Sequence, residues 1–124
     1  MARDALPPKQ NVKRMVETIH EVWIDPASKT AFQALAAEQG WTMRSALTRI
    51  IEQHALIREP FEPRRPKPWA RVPDDERVRY IAALPSVDVS ADVAMALLID
   101  ANGTGIRLTD AVRQLVWRCI QASA

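Results

Sequence analysis

From Glu21 to Gln53 the chain reads "EVWIDPASKTAFQALAAEQGWTMRSALTRIIEQ", and its apolar positions change period twice. Val22 and Ile24 alternate with Glu21 and Trp23, which predicts a short strand with one apolar face. Asp25-Pro26 then opens a helix, since proline suits a first turn, where its missing N–H has no partner to lose. Ala31, Phe32 and Leu35 share one face of that helix, and Gly40 ends it as a left-handed cap. Ala46, Leu47, Ile50, Ile51, His54 and Ala55 form the buried stripe of a second helix. A lone strand cannot bury its apolar face, and two helices this short are marginal alone. The strand needs a partner from elsewhere in the chain.

The stretch "SVDVSADVAMALLIDANGTGIRLTDAVRQLVWRCIQ" supplies one. Val89 plays the part of Ile24, Leu97 of Phe32, Gly105 of Gly40 and Ile106 of Trp41. Ala111-Val112 matches Ala46-Leu47, and Leu115-Val116 matches Ile50-Ile51, always at an offset of 65 residues. Asp100 departs from the pattern, standing where Leu35 predicts an apolar residue. One strand–helix–helix pattern is weak evidence, but the same pattern twice in one register marks a degenerate duplication. The expected fold is mainly α: four helices over a two-stranded antiparallel ribbon, with Val22–Ile24 paired to Val87–Val89. The expected core is Val22, Ile24, Phe32, Leu35, Trp41, Leu47, Ile50 and Ile51, with Val87, Val89, Val93, Leu97, Ile106, Val112, Leu115 and Val116. Glu21, Trp23, Ser86 and Asp88 then point away from the helices.

This pattern resembles the ribbon-helix-helix family (the Arc and MetJ type), in which two identical chains each supply one unit. Here the likeness covers about residues 16–56 and 86–121, so both units lie in one chain, a single-chain pseudo-dimer. A plain helix-turn-helix centred on Gly40 fits less well, because Arg49 would occupy a normally apolar position and the strand would be unexplained. In the resembled family the ribbon enters the major groove and the second helices start at phosphates. Carried across, the base-reading positions are Glu21, Trp23, Ser86 and Asp88. The phosphate-binding positions are Thr42, Arg44 and Ser45 at one second helix, with Arg107 and Thr109 at the other. Thr42 and Thr109 are also expected as helix N-caps. The base-reading set departs from the family, where Arg, Lys, Asn or Gln match purine edges; carboxylates only accept.

Outside the two units, residues 1–15 form a basic arm with Lys9, Lys13 and Arg14. Residues 58–85 form a basic, proline-rich connection with Arg64, Arg65, Lys67 and Arg71, followed by a short helix from Asp74 through "DDERVRYIAAL". The units themselves are 16–57 and 86–124, packed as one domain. These basic positions are auxiliary candidates for phosphate contact. Fused pairs of this kind are similar to accessory proteins of conjugative and T-DNA transfer (TraY-like and overdrive-binding virulence proteins). The resemblance therefore implies double-stranded DNA as a partner, assistance to a relaxase or other DNA-transfer protein, and possible cooperativity on DNA. A repressor or antitoxin of the same fold is an alternative. So is an adaptor that keeps the fold and binds protein through the ribbon.

Composition narrows the classes without choosing among them. The 124 residues carry a net charge of +2, mildly basic and compatible with nucleic acid. One cysteine, Cys119, excludes an internal disulfide or a multi-cysteine zinc site. No run of about 18 apolar residues occurs, so a cytoplasmic protein with no membrane partner is expected. There is no glycine-rich phosphate loop, serine elbow or histidine pair at metal spacing. Cys119 and His54 lie on equivalent apolar stripes and read as core residues, while His20 precedes the strand. Neither an enzyme, a metal site nor a cofactor is expected.

Overall fold

A computed structural model describes residues 16–63 and 79–123. The elements are β1 (Val16–Ile19), β2 (Trp23–Ile24), α1 (Pro26–Glu38), α2 (Met43–Ile57), β3 (Ala82–Ala83), β4 (Val87–Ser90), α3 (Ala91–Thr104) and α4 (Leu108–Ala122). The fold is mainly helical, with a small antiparallel sheet. No helix among the described residues is long and apolar enough to cross a membrane.

The offset of 65 reappears in the fold. α1 and α3 begin at 26 and 91, and α2 and α4 span 43–57 and 108–122. The starts of the two first helices, α1 and α3, also match. Asp25 caps α1, its carboxylate accepting from Ser28 N at 2.9 Å, and Ser90 at the equivalent position caps α3 through Val93 N at 3.3 Å. The first helix of each half ends in the same way. Gly40 and Gly105 sit at φ 74° and 79°, the left-handed region that costs a side-chain-bearing residue energy. Trp41 N donates to Ala36 O at 2.9 Å and Ile106 N to Ala101 O at 3.0 Å, the long hydrogen bond of a Schellman cap in both halves.

The strands obey one pairing rule. β1 pairs with β4 and β2 with β3, both antiparallel, and partner numbers in both ladders sum to 106 (16 with 90, 24 with 82). A bond from Leu84 N to Val22 O, 2.8 Å, continues that register between the ladders. Exchanging the halves by the 65-residue offset leaves the rule unchanged. The expected pairing of Val22–Ile24 with Val87–Val89 is therefore corrected. Val87 to Val89 lie opposite Ile19 to Glu17, and Trp23–Ile24 lie opposite Ala83–Ala82. The ribbon extends further toward the start of each unit than the alternation around Val22 revealed. Its ladder is interrupted around Pro85, which has no N–H to give.

The interruption coincides with a slip in the alternation. Ile19, Val22 and Ile24 are buried, as are their counterparts Leu84, Val87 and Val89, so the inward positions skip an extra residue at mid-ribbon. Behind them pack the equivalent pairs Phe32 and Leu97, Ala36 and Ala101, Ala46 and Ala111, Leu47 and Val112, and Ile51 and Val116, all buried. Leu115 and Ile106 complete the buried set as expected. Leu35, Ile50 and Val93 are only half-buried. Trp41 is a correction: it is 38% exposed, whereas its counterpart Ile106 is buried. The larger indole lies partly outside the core, with the Arg49 guanidinium 4.2 Å from its ring centroid. The short helix expected from Asp74 is also corrected at its end, since Ala82–Ala83 are strand; its first residues lie outside the described ones.

The misfit at Asp100 has a physical account. Its carboxylate accepts from Arg58 Nε at 2.6 Å and Nη2 at 2.7 Å, and lies 2.8 Å from His54 Nε2. His54 is buried and stacks on Phe61, with ring centroids 4.6 Å apart. In the other half the corresponding positions are Leu35 and Cys119, which line one depression with Phe32 and Ile50. A polar pair and an apolar pair thus occupy equivalent places. The hydrogen bonds from Arg58 hold the Asp100 carboxyl below the usual carboxylate range; partial burial opposes this, and His54 adds to it.

Two outcomes are expected. Ile51→Ala should cost about 2–5 kcal/mol in urea titrations, and Trp41→Ala less than that, because only Ile51 is fully enclosed. The lowered Asp100 group stabilises the fold above the unfolded carboxylate value of about 4, and this contribution disappears as pH falls through the folded value. Asp100→Asn should flatten the acid limb of a stability–pH profile; an unchanged limb would refute the assignment.

Candidate nucleic-acid interface

The ribbon's outward face follows from the register. With Val22, Ile24 and Leu84 turned inward, Glu21, Trp23, Ala83 and Ile81 turn outward on one half of the ribbon. The equivalent outward positions on the other half are Ser86, Asp88, Thr18 and Val16. Of the four expected base-reading residues, Glu21, Trp23 and Asp88 are exposed and Ser86 is half-buried. Thr18 faces Asp88 across the ladder, and its hydroxyl donates to Asp88 Oδ1 at 2.6 Å. Thr18, Ile81 and Val16 were missed by the sequence reading because the strands extend beyond the alternation that announced them.

Two arginines brace the ribbon from behind. Arg44 Nε donates to Ser86 O at 2.9 Å, and Arg113 Nε donates to Trp23 O at 2.6 Å. Arg113 also pairs with Asp110 at 2.9 Å and lies 4.1 Å from the centre of the Tyr80 ring. Each second helix is thereby tied to a strand of the ribbon. Trp117 ties α4 to the start of α1, its indole N–H meeting Ser28 Oγ at 3.1 Å and Asp25 Oδ1 at 3.3 Å. Burial pushes the Asp25 carboxyl up, but the bonds from Ser28 and Trp117 outweigh it and leave the group lowered.

The two second-helix starts differ. Thr42 caps α2, its hydroxyl accepting from Ser45 N at 3.0 Å, and no acid lies in that first turn. Arg44 there shares a shallow depression with Lys29, Gln33, Glu21 and Pro85. At α4 the N-cap is Arg107, not Thr109, which lies inside the first turn. The Asp110 carboxylate bonds back to Arg107 N at 3.2 Å. An acid already complements the helix dipole at α4, so α2 offers the less occupied anion-facing end.

Charge is distributed unevenly. Residues 16–63 and 79–123 carry eleven Asp and Glu against eight Lys and Arg. Residues 1–15 carry one against four, and 64–78 carry three against five. The chain's positive excess therefore lies in the segments joined to the two ends of the ribbon. One precedes Val16; the other reaches Ala82 through Arg79–Ile81. The auxiliary candidates Lys9, Lys13, Arg14, Arg64, Arg65, Lys67 and Arg71 all belong to these segments and lie outside the described residues. Among the described residues, no group of three or more His, Cys, Asp or Glu is placed to hold a metal. Burial raises the Cys119 thiol, keeping it in the inert form.

In comparisons with known proteins, no family model, no curated protein and no solved structure matches the chain.

The unequal helix starts give an outcome to measure. Thr42→Ala should destabilise the fold by about 1 kcal/mol through loss of the cap. Thr109→Ala should fall within about 0.5 kcal/mol of the parent in the same urea titration. Equal losses would mean that Thr109 also caps.

Proposed function

We propose that this chain is a single-chain ribbon-helix-helix protein that binds duplex DNA with its ribbon facing the major groove. One observation carries the reading: an antiparallel ribbon with the same pairing rule from either half, backed by equivalent helix pairs, with a basic segment joined to each end. A two-stranded ribbon fits the major groove, and its outward side chains meet base edges. The ribbon's own carboxylates repel phosphates, so most of the affinity comes from Lys and Arg in residues 1–15 and 64–78. The start of α2, with Thr42, Arg44 and Ser45, adds to this. The fused halves carry different outward residues, which removes the requirement for a palindromic site. The wider role inferred from the likeness to transfer accessory proteins is to hold DNA near a transfer origin or border while a relaxase processes one strand.

A salt-titrated binding assay on random duplex DNA tests this. Affinity should fall with a log–log slope of about −0.9 per phosphate neutralised, with on the order of 4–8 contacts. Replacing Arg64, Arg65, Lys67 and Arg71 together by alanine should weaken binding to all sequences alike and reduce the slope. No binding at low salt, or binding indifferent to salt, would eliminate the DNA reading and favour a protein-binding adaptor.

A further inference from the structure

The ribbon's outward face has a composition that limits what it can recognise. Neither strand, from Val16 to Ile24 or from Ala82 to Ser90, contains a Lys, Arg, Asn or Gln. Those are the side chains that make paired hydrogen bonds to guanine or adenine edges in the major groove. What the face offers is divided by its ends. On one half Trp23 is 47% exposed and Ile81 65% exposed, with Ala83 directly opposite Trp23 and two residues from Ile81 on the same face. On the other half the equivalent of Trp23 is Asp88, that of Ala83 is Thr18 and that of Ile81 is Val16, 47% exposed, so the two ends differ at the Trp23 and Ala83 positions and share an aliphatic one. The Thr18 hydroxyl donates to one Asp88 oxygen, fixing the carboxylate and leaving its other oxygen as an acceptor.

We infer that the two halves of the ribbon read different features of the DNA. The Trp23–Ala83–Ile81 end takes thymine methyl groups by apolar contact. The Asp88 end, oriented by Thr18, accepts from the exocyclic amino group of cytosine. The chain thus recognises an asymmetric site without guanine-directed contacts, thymine-bearing under one half and cytosine-bearing under the other. Desolvating the Asp88 carboxylate beside phosphates is unfavourable, so the cytosine contact discriminates between bases without adding much affinity. The bracing of the strands supports a fixed reading head. Arg113 holds the Trp23 carbonyl and Arg44 the Ser86 carbonyl, so each half of the outward face is anchored to a helix.

This inference rests on the DNA reading, and the test separates the two. Sites are selected from random duplex DNA with the full chain, and affinities are measured for the selected site with each thymine replaced by uracil. Uracil lacks only the methyl group. Its substitution should weaken binding about threefold per contacted methyl, in one half of the site only. Trp23→Ala and, independently, Ile81→Ser should abolish the uracil effect while leaving the salt slope unchanged. Asp88→Asn should move the preference at the opposite half from cytosine to adenine, whose edge an amide matches. A selected site with no C·G pair in the half away from the uracil-sensitive thymines, or a uracil effect that persists in both variants, would overturn the assignment of ends. Sequence-indifferent, salt-sensitive binding would overturn the code but keep the DNA function, and no duplex binding at low salt would overturn both.

Discussion

Everything in this fold depends on an antiparallel pairing between strands about 65 residues apart in sequence. Neither strand can bury its apolar side alone. Together they place Ile19, Val22 and Ile24 beside Leu84, Val87 and Val89 as one inward surface, and the four helices close over it. Closing a long loop costs entropy that grows only slowly with its length, so the intervening residues add little to the cost of meeting. Because the partner strand is on the same chain, its effective concentration is set by the tether and not by the amount of protein in solution. The register then fixes the rest. A one-residue slip would turn Trp23 and Asp88 inward and expose valines, so the pairing that buries the core also selects the outward face.

That dependence explains what was legible in the sequence. The helices were, because their limits are written in local chemistry: Asp25-Pro26, and glycines at 40 and 105 that accept the left-handed turn cheaply. The duplication was legible because both halves need the same buried positions. The ribbon's register was not. Its centre is marked by an alternation that breaks at His20-Glu21 and Pro85-Ser86, and period-two reasoning cannot cross such a break. Reading outward from Val22 therefore missed Ile19 and Leu84, and assigned Ala82–Ala83 to a helix. The outward direction of Glu21, Trp23 and Asp88 was nonetheless correct, since it depends only on Val22, Ile24, Val87 and Val89 facing in. Trp41 failed for a different reason: its apolarity placed it with Ile106, but its volume did not allow the same depth. The unequal caps of α2 and α4 were also hidden, because Asp110 competes for a role that Thr109 seemed to fill.

The two halves agree where the fold requires it and diverge elsewhere, and the divergence is organised. Toward the core, the equivalent positions are Asp100 with His54, which are hydrogen-bonded, and Leu35 with Cys119, which line one depression. The polar contact combines a bond to the buried His54 with two from the exposed Arg58. Removing Asp100 would leave the buried His54 without this partner, so that position tolerates change less well than its apolar counterpart. Outside, the divergence sets Trp23 and Ala83 at one end against Asp88 and Thr18 at the other, while each end keeps one exposed aliphatic side chain, Ile81 or Val16. A homodimer built from identical units could not do this, because any residue placed at one end of its ribbon would appear at the other.

The electrostatics complete the same logic. A ribbon carrying Glu17, Glu21 and Asp88 and no Lys or Arg gains nothing from approaching a polyanion, and the described residues together carry more acidic than basic groups. Under the proposed DNA binding, attraction comes from the segments joined to the ribbon's ends, where the positive excess lies. Phosphate contacts are largely indifferent to sequence, whereas contacts to base edges discriminate. Assigning the first to the flanking segments and the second to the ribbon separates affinity from specificity along the chain. A repelling but selective surface is tolerable under that division, because each carboxylate lowers affinity everywhere and lowers it least where an amino donor stands opposite. On this reading the acids on the ribbon work by penalising the wrong base, and the basic segments make that penalty affordable.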